Sequence, residues 1–230
     1  MVYLLDLDIE KIYRGCAYLE SLYLTYLTRC IYPDYMMEWK GDVFVFNDLN
    51  DTDGCIAFGN SGKCFAGSLR NIPLSEDYGF RFIDKTLTAF RSEQDNTISE
   101  LLGPLSLKQM DVYYHSYTVN INGSGPLITT CFWGKEDGVF SCDSLTDYLA
   151  LGGTFIYDVL VSGRNAINKF WVDEVGDSED LNHLAETIYR SKLFGENYQS
   201  TIANIEFRGE EISVFFRKAL QDFLGNSPEG

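Results

Sequence analysis

Val43-Phe44-Val45-Phe46, Cys55-Ile56-Ala57-Phe58 and Lys63-Cys64-Phe65-Ala66 are three short apolar runs, separated by Asn47-Asp48-Leu49-Asn50-Asp51-Thr52-Asp53-Gly54 and by Gly59-Asn60-Ser61-Gly62. β-Branched and aromatic side chains suit the pleated surface of a strand, whereas Asn, Asp and Gly suit tight turns. The segment therefore reads as a meander of three strands. A second antiparallel meander is expected further on, from Tyr113 to Ile121, from Leu127 to Trp133 and from Val139 to Cys142, with glycine-containing turns at 122–126 and 135–138. Between the two, Phe80, Phe82, Ile83, Leu87 and Phe90 fit the period of a strand or of a helix.

Outward from the meanders the period changes. Ile9, Ile12, Tyr13, Cys16, Leu19, Tyr23, Leu27 and Cys30 recur at helical spacing after Asp8, a residue suited to an N-cap, so a long amphipathic first helix is expected. Asp143 or Ser144 caps a helix from Leu145, which Gly152-Gly153 interrupts. Two helices close the chain, at about 178–193 with Leu181, Leu184, Ala185 and Ile188 inward, and at about 209–224 with Ile212, Phe215, Phe216, Ala219, Leu220 and Phe223 on one stripe. Helices bracketing a strand-rich middle with short turns predict an α+β fold built on an antiparallel sheet.

The chain has 230 residues, enough to bury roughly 72% of the surface that its unfolded form exposes. No Pro/Gly/Ser-rich linker interrupts it, so residues 1–230 are expected to form one domain, with the helical part from about 173 to 230 as an alternative subdomain. No apolar run approaches the ~20 residues that span a bilayer, and the N-terminus lacks a basic region and a long apolar core. These features predict a cytoplasmic protein with no membrane contact. Its six cysteines, Cys16, Cys30, Cys55, Cys64, Cys131 and Cys142, are then expected to be mostly reduced and buried. With no CxxC pair and only two histidines, His115 and His183, neither a zinc site nor a cofactor is expected.

The net charge is −16. Phosphate neutralisation needs concentrated Lys and Arg, so direct nucleic-acid binding is disfavoured and a basic protein partner is favoured. Spread evenly, that charge is about one excess negative charge per 660 Å², too dilute to guide recognition unless it clusters. The densest run is Asp173, Glu174, Asp177, Glu179 and Asp180, followed by Asp48, Asp51 and Asp53. Acids at a helix N-terminus complement the macrodipole, so the first run has a local explanation beside a docking role. Asp48 to Gly54 does not fit a calcium-binding helix-loop-helix, because Leu49 would stand at the first ligand position.

Catalytic constellations are weak. Gly59, Gly62 and Lys63 follow a strand in an order that phosphate cradling uses, but Cys64 stands where a Ser or Thr would hold Mg²⁺, and Phe65-Ala66-Gly67-Ser68 is a poor helix start. A hairpin turn is the simpler reading. Cys131 or Cys142 with His115 forms a nucleophile–base pair on paper only, since Cys131 lies in an apolar run. His183 reads as a surface residue.

Gly54-Cys-Ile-Ala-Phe-Gly-Asn-Ser-Gly-Lys-Cys-Phe-Ala-Gly-Ser-Leu69 and Gly138-Val-Phe-Ser-Cys-Asp-Ser-Leu-Thr-Asp-Tyr-Leu149 resemble the bacterial immunity proteins of polymorphic toxin systems, which pair glycine-turn hairpins with a strand leading into such a helix. The resemblance implies a non-enzymatic inhibitor that binds a toxin, with the acidity suited to a basic nuclease. A protein-binding module using the two acidic runs is thus the first expectation. A nucleotide- or phosphate-using enzyme centred on Gly59, Gly62 and Lys63 is the second, and a structural subunit of a larger assembly the third.

Overall fold

A computed structural model describes residues 2–29, 37–47, 52–59, 63–70, 129–135, 138–175, 179–197, 199, 203–205, 207 and 209–225. The expected segments 80–90 and 113–121 lie outside the described residues, as do Cys30 and His115.

Seven strands form one antiparallel sheet: β1 (Tyr3–Leu5), β2 (Met37–Lys40), β3 (Val43–Asn47), β4 (Thr52–Phe58), β5 (Cys64–Arg70), β6 (Thr130–Lys135) and β7 (Gly138–Ser141), in the spatial order β1-β7-β6-β5-β4-β3-β2. The fold is α+β. The first meander and the described part of the second, β6 and β7, are one sheet, because β5 pairs with β6 from Cys64↔Gly134 to Ser68↔Thr130. Both end strands were absent from the sequence reading. β1 has only three residues, and β2 alternates apolar with charged side chains over only four.

Register sorts the side chains. Trp39, Phe44, Ile56, Ala66 and Phe132 follow one another across the strands on the face that joins the helix-side core. The opposite face, with Val43, Val45, Cys55, Ala57, Phe65, Cys131 and Trp133, is also buried but outside that core. A sheet buried on both faces wants unbroken apolar strands, which is why Val43 to Phe46 shows no alternation.

Helix α1 (Ile9–Leu27) starts at Asp8, whose Oδ1 accepts the Glu10 and Lys11 N–H groups at 2.9 and 3.2 Å. The sequence suggested an amphipathic stripe, yet from Gly15 onward the helix is buried almost all round. Its polar residues there are satisfied locally: the Ser21 hydroxyl donates to the Ala17 carbonyl and the Thr25 hydroxyl to the Ser21 carbonyl, each at 2.7 Å. Such back-bonding lets a hydroxyl sit inside a core without an external partner.

The Leu145 helix is capped by Ser144, whose Oγ accepts the Asp147 N–H at 3.2 Å, and not by Asp143, which is fully buried. Its regular part is the single turn α2 (Leu145–Tyr148). Gly152 adopts φ 118°, where only glycine is comfortable, and the chain winds on in wide π-type turns over Leu149–Gly153 and Phe155–Leu160. Further described helices are α3 (Arg164–Val175), α4 (Glu179–Phe194) and α5 (Glu210–Gly225). Helix α3 was not expected from the sequence, and the stripe expected on α5 differs at one position. Ile212, Phe216, Leu220 and Phe223 are buried, whereas Phe215 is 47% exposed, because it lies beyond the edge of that stripe.

The closest backbone approach in the helix layer is at Gly15. A Cβ there would lie 2.5 Å from the Leu160 carbonyl oxygen and 3.1 Å from two further Leu160 backbone atoms. Gly15→Ala gains about 1 kcal/mol of helix propensity but forces two backbones apart, which typically costs about 1–3 kcal/mol. The expected net effect is a loss of up to about 2 kcal/mol, read as a lower urea midpoint with an unchanged slope; a gain in stability would contradict this packing.

Candidate functional site

The acidic run of residues 173–180 spans the end of one helix and the start of the next. Asp173 and Glu174 lie in the last turn of α3, and Glu179 and Asp180 in the first turn of α4. Asp177 lies outside the described residues, as do the side chains of Glu174, Glu179 and Asp180. The two halves of the run are not equivalent. Carboxylates at the start of α4 meet the positive end of its dipole, which accounts for Glu179 and Asp180. Carboxylates at the end of α3 meet a negative end, and no basic residue occupies that turn. Asp173 and Glu174 therefore occupy a helix end where the dipole gives an acid no support. Asp173 is exposed, and so is its neighbour Val172, at 46%. That end of α3 shows an apolar side chain beside a carboxylate that the helix dipole does not support.

The second acidic run does not assemble in the same way. Asp53 is on β4, opposite Asn47, and its carboxylate accepts the Asn47 Nδ2 hydrogen bond at 2.7 Å, a turn-fixing role. Asp48 and Asp51 lie outside the described residues. The glycine turn is a hairpin: Phe58 pairs with Cys64, and the Gly59 N–H donates to the Lys63 carbonyl at 2.7 Å. Gly62 lies outside the described residues. Lys63 leads into strand β5, so the helix N-terminus on which phosphate cradling depends does not follow it.

Five cysteines, Cys16, Cys55, Cys64, Cys131 and Cys142, are buried free thiols. Burial pushes the Cys64 thiol up to about 12, and contact with Cys142 together with burial raises Cys131 well above the ordinary range. Neither is primed as a nucleophile. His183 is exposed. Among the described residues no group of three or more His, Cys, Asp or Glu could hold a metal ion, and no helix is long and apolar enough to cross a membrane.

Two features escaped the sequence reading. The first is a cleft of about 330 Å³ lined by Lys11, Arg14, Tyr18, Gly163, Arg164 and Tyr189 among others. The Arg164 guanidinium stacks on Tyr18 and Tyr189, 5.0 and 4.6 Å from the ring centres, and bonds Glu186 at 2.6 Å; Arg14 is paired with Glu10. Three cations less these two carboxylates leave a local charge of only +1.

The second is a buried ionisable cluster where α1, α4, α5 and β2 meet. Glu20 is 3% exposed; its carboxylate accepts the Trp39 backbone N–H, while Oε2 has no hydrogen-bond partner. Lys192 is 5% exposed, donates to the Phe223 carbonyl at 2.6 Å and lies 5.7 Å from the Trp39 ring centre. Burial, then repulsion from Glu38, raises the Glu20 pKa despite attraction from Lys192. Burial lowers Lys192 to about 8 despite Glu20 and Asp42. Glu20 sits in a helical apolar frame as a lone charged residue, a signal that the sequence did offer at Tyr18-Leu19-Glu20-Ser21-Leu22, whereas Lys192 stands two residues from Arg190 and carries no such signal.

Comparison with protein-family models, with curated proteins and with solved structures returned no match for this chain.

The buried cluster makes a pH prediction. Between about 8 and 10.5 the unfolded chain holds more protons at Lys192 than the folded chain, so this residue makes stability rise with pH across that window. Lys192→Met removes that rise, whatever constant offset the lost hydrogen bond adds. Glu20 has the opposite sign: with its folded pKa raised above 4.5, its contribution is present below that pH and lost as pH climbs. Glu20→Gln therefore gains stability relative to the parent chain as pH rises above 4.5. Urea unfolding of the three chains across pH checks both, and parallel curves would refute the burial of these charges.

Proposed function

We propose that this chain is a protein-binding module that takes a basic partner where α3 ends and α4 begins, with Asp173, Glu174, Asp177, Glu179 and Asp180 supplying the charge. The observation that carries this reading is the pair Asp173 and Glu174 at the negative end of α3. Two carboxylates held against the helix dipole gain stabilisation once a cationic surface neutralises them. Val172, exposed beside them, supplies apolar contact of the kind that anchors an interface inside a charged rim. The immunity-protein resemblance gives the reading its specific form, an inhibitor acting by direct binding on a basic toxin in the cytoplasm. The quoted stretches correspond to the β4–β5 hairpin and to β7 running into α2.

A second reading has its own observation. The cleft holding Lys11, Arg14 and Arg164 is of a size that suits a small ligand, and among the described residues no acid lines it in a chain whose acids outnumber its bases 34 to 18. Its net charge of +1, after the Glu10 and Glu186 pairings, makes it the weaker of the two.

Clustered charge acts chiefly on the association rate. A partner captured from native lysate, then purified, should associate at least about tenfold more slowly at 0.5 M salt than at physiological ionic strength, because exposed charges are screened beyond roughly 4–5 Å at the higher salt. Replacing Asp173, Asp177, Glu179 and Asp180 by Lys should slow association by a similar factor while leaving circular dichroism unchanged. A rate indifferent to both salt and substitution would exclude this acidic run as the contact. A thermal shift with millimolar phosphate compounds, lost in Lys11→Gln, would move weight to the cleft.

A further inference from the structure

Two buried thiols meet one residue beyond the end of the β6–β7 ladder. Phe132 pairs with Ser141, so one step further brings Cys131 opposite Cys142. Their sulfurs are 3.9 Å apart, and the residues are 1% and 4% exposed. We infer that Cys131 and Cys142 are a dithiol modification site, which a small peroxide converts to a cross-strand disulfide tying β6 to β7.

The geometry suits the bond. Directly opposed residues of an antiparallel pair have Cα atoms about 4.5–5.5 Å apart, inside the roughly 4.4–6.8 Å that a disulfide spans. The sulfurs must close from 3.9 Å to about 2.05 Å, a distance that side-chain rotation covers without separating the strands. The backbone on either side is pinned. The Ser141 hydroxyl donates to the Cys131 carbonyl at 2.6 Å and accepts the Asp143 N–H at 3.1 Å. Beyond the pair, the Cys142 thiol is 3.6 Å from Asp143 Oδ2, the oxygen that also accepts the Thr130 hydroxyl at 2.8 Å.

In the reaction the first sulfur attacks a peroxide oxygen, the O–O bond breaks, and a sulfenic acid and one water form. The second sulfur then displaces that hydroxyl as a second water. Two S–H bonds are lost and one S–S bond is gained; the two electrons reduce the peroxide. Burial and the contact with Cys142 hold the Cys131 thiol protonated, and both sulfurs are shielded from solvent, so the reaction is slower than at an exposed thiol and needs a small oxidant. The bridge forms immediately before the Ser144 cap, so it fixes the entry into α2.

The test uses the native full-length chain. It is exposed to hydrogen peroxide, unfolded in the presence of an alkylating reagent, digested without reduction and mapped by mass spectrometry. The expected product is one cross-linked peptide joining Cys131 to Cys142, short of two hydrogen masses, with neither residue alkylated and both recovered as thiols after excess dithiothreitol. Full alkylation of both residues, under exposure that oxidises a reference dithiol, would overturn the inference. So would linkage of either to another cysteine, or sulfinic acid at one with the other free. Cys142→Ser should abolish the cross-link, and the wild-type map decides the matter even if that variant fails to fold.

Discussion

The helix-side core depends on α1 being buried on nearly every side. The sheet presents Trp39, Phe44, Phe46, Ile56 and Phe132 as an apolar surface that must be covered. The helix covering it is itself overlaid by α4 and by the wide turns at 155–160. From Gly15 onward a helix enclosed in this way has almost no solvent face, so each polar group on those turns needs a partner within the molecule. Ser21 and Thr25 find theirs in their own backbone, Tyr18 in Asn168, and Glu20 in the Trp39 N–H. Close packing also restricts size: the approach of α1 to Leu160 is possible only because residue 15 has no side chain.

Charge is distributed unevenly as a result. The excess of acids is mostly a surface property, but Glu20 and Lys192 are taken into the core. Their attraction does not cancel their desolvation, since both pKa values move toward the neutral form. What the pair contributes is connection: Glu20 reaches the last strand of the sheet from α1, and Lys192 reaches the final turns of α5 from α4. An edge strand whose N–H is occupied by an inward-pointing carboxylate is less open to pairing with another chain. On the outside, the end of α3 shows a comparable tension, because Asp173 and Glu174 stand where the dipole of the helix that carries them gives an acid no support.

Much of this was legible in the sequence because its signals are local. The strands at 43–47, 52–58 and 64–70, the Asp8 cap and the last two helices all follow from side-chain shape, turn chemistry and period over a few residues. The net charge and the absence of a recognisable catalytic motif are properties of composition and spacing, and they directed attention to binding over catalysis. Tertiary structure alone decided that the first meander shares one sheet with β6 and β7, that three- and four-residue strands count as its edges, and that α1 is enclosed from Gly15 onward. It also decided that the acids at 173–180 straddle two helix ends of opposite polarity and that Cys131 meets Cys142. Each of these depends on which distant residues become neighbours. A local pattern records what a segment prefers, whereas the partner against which it is buried is set by the packing of the whole chain.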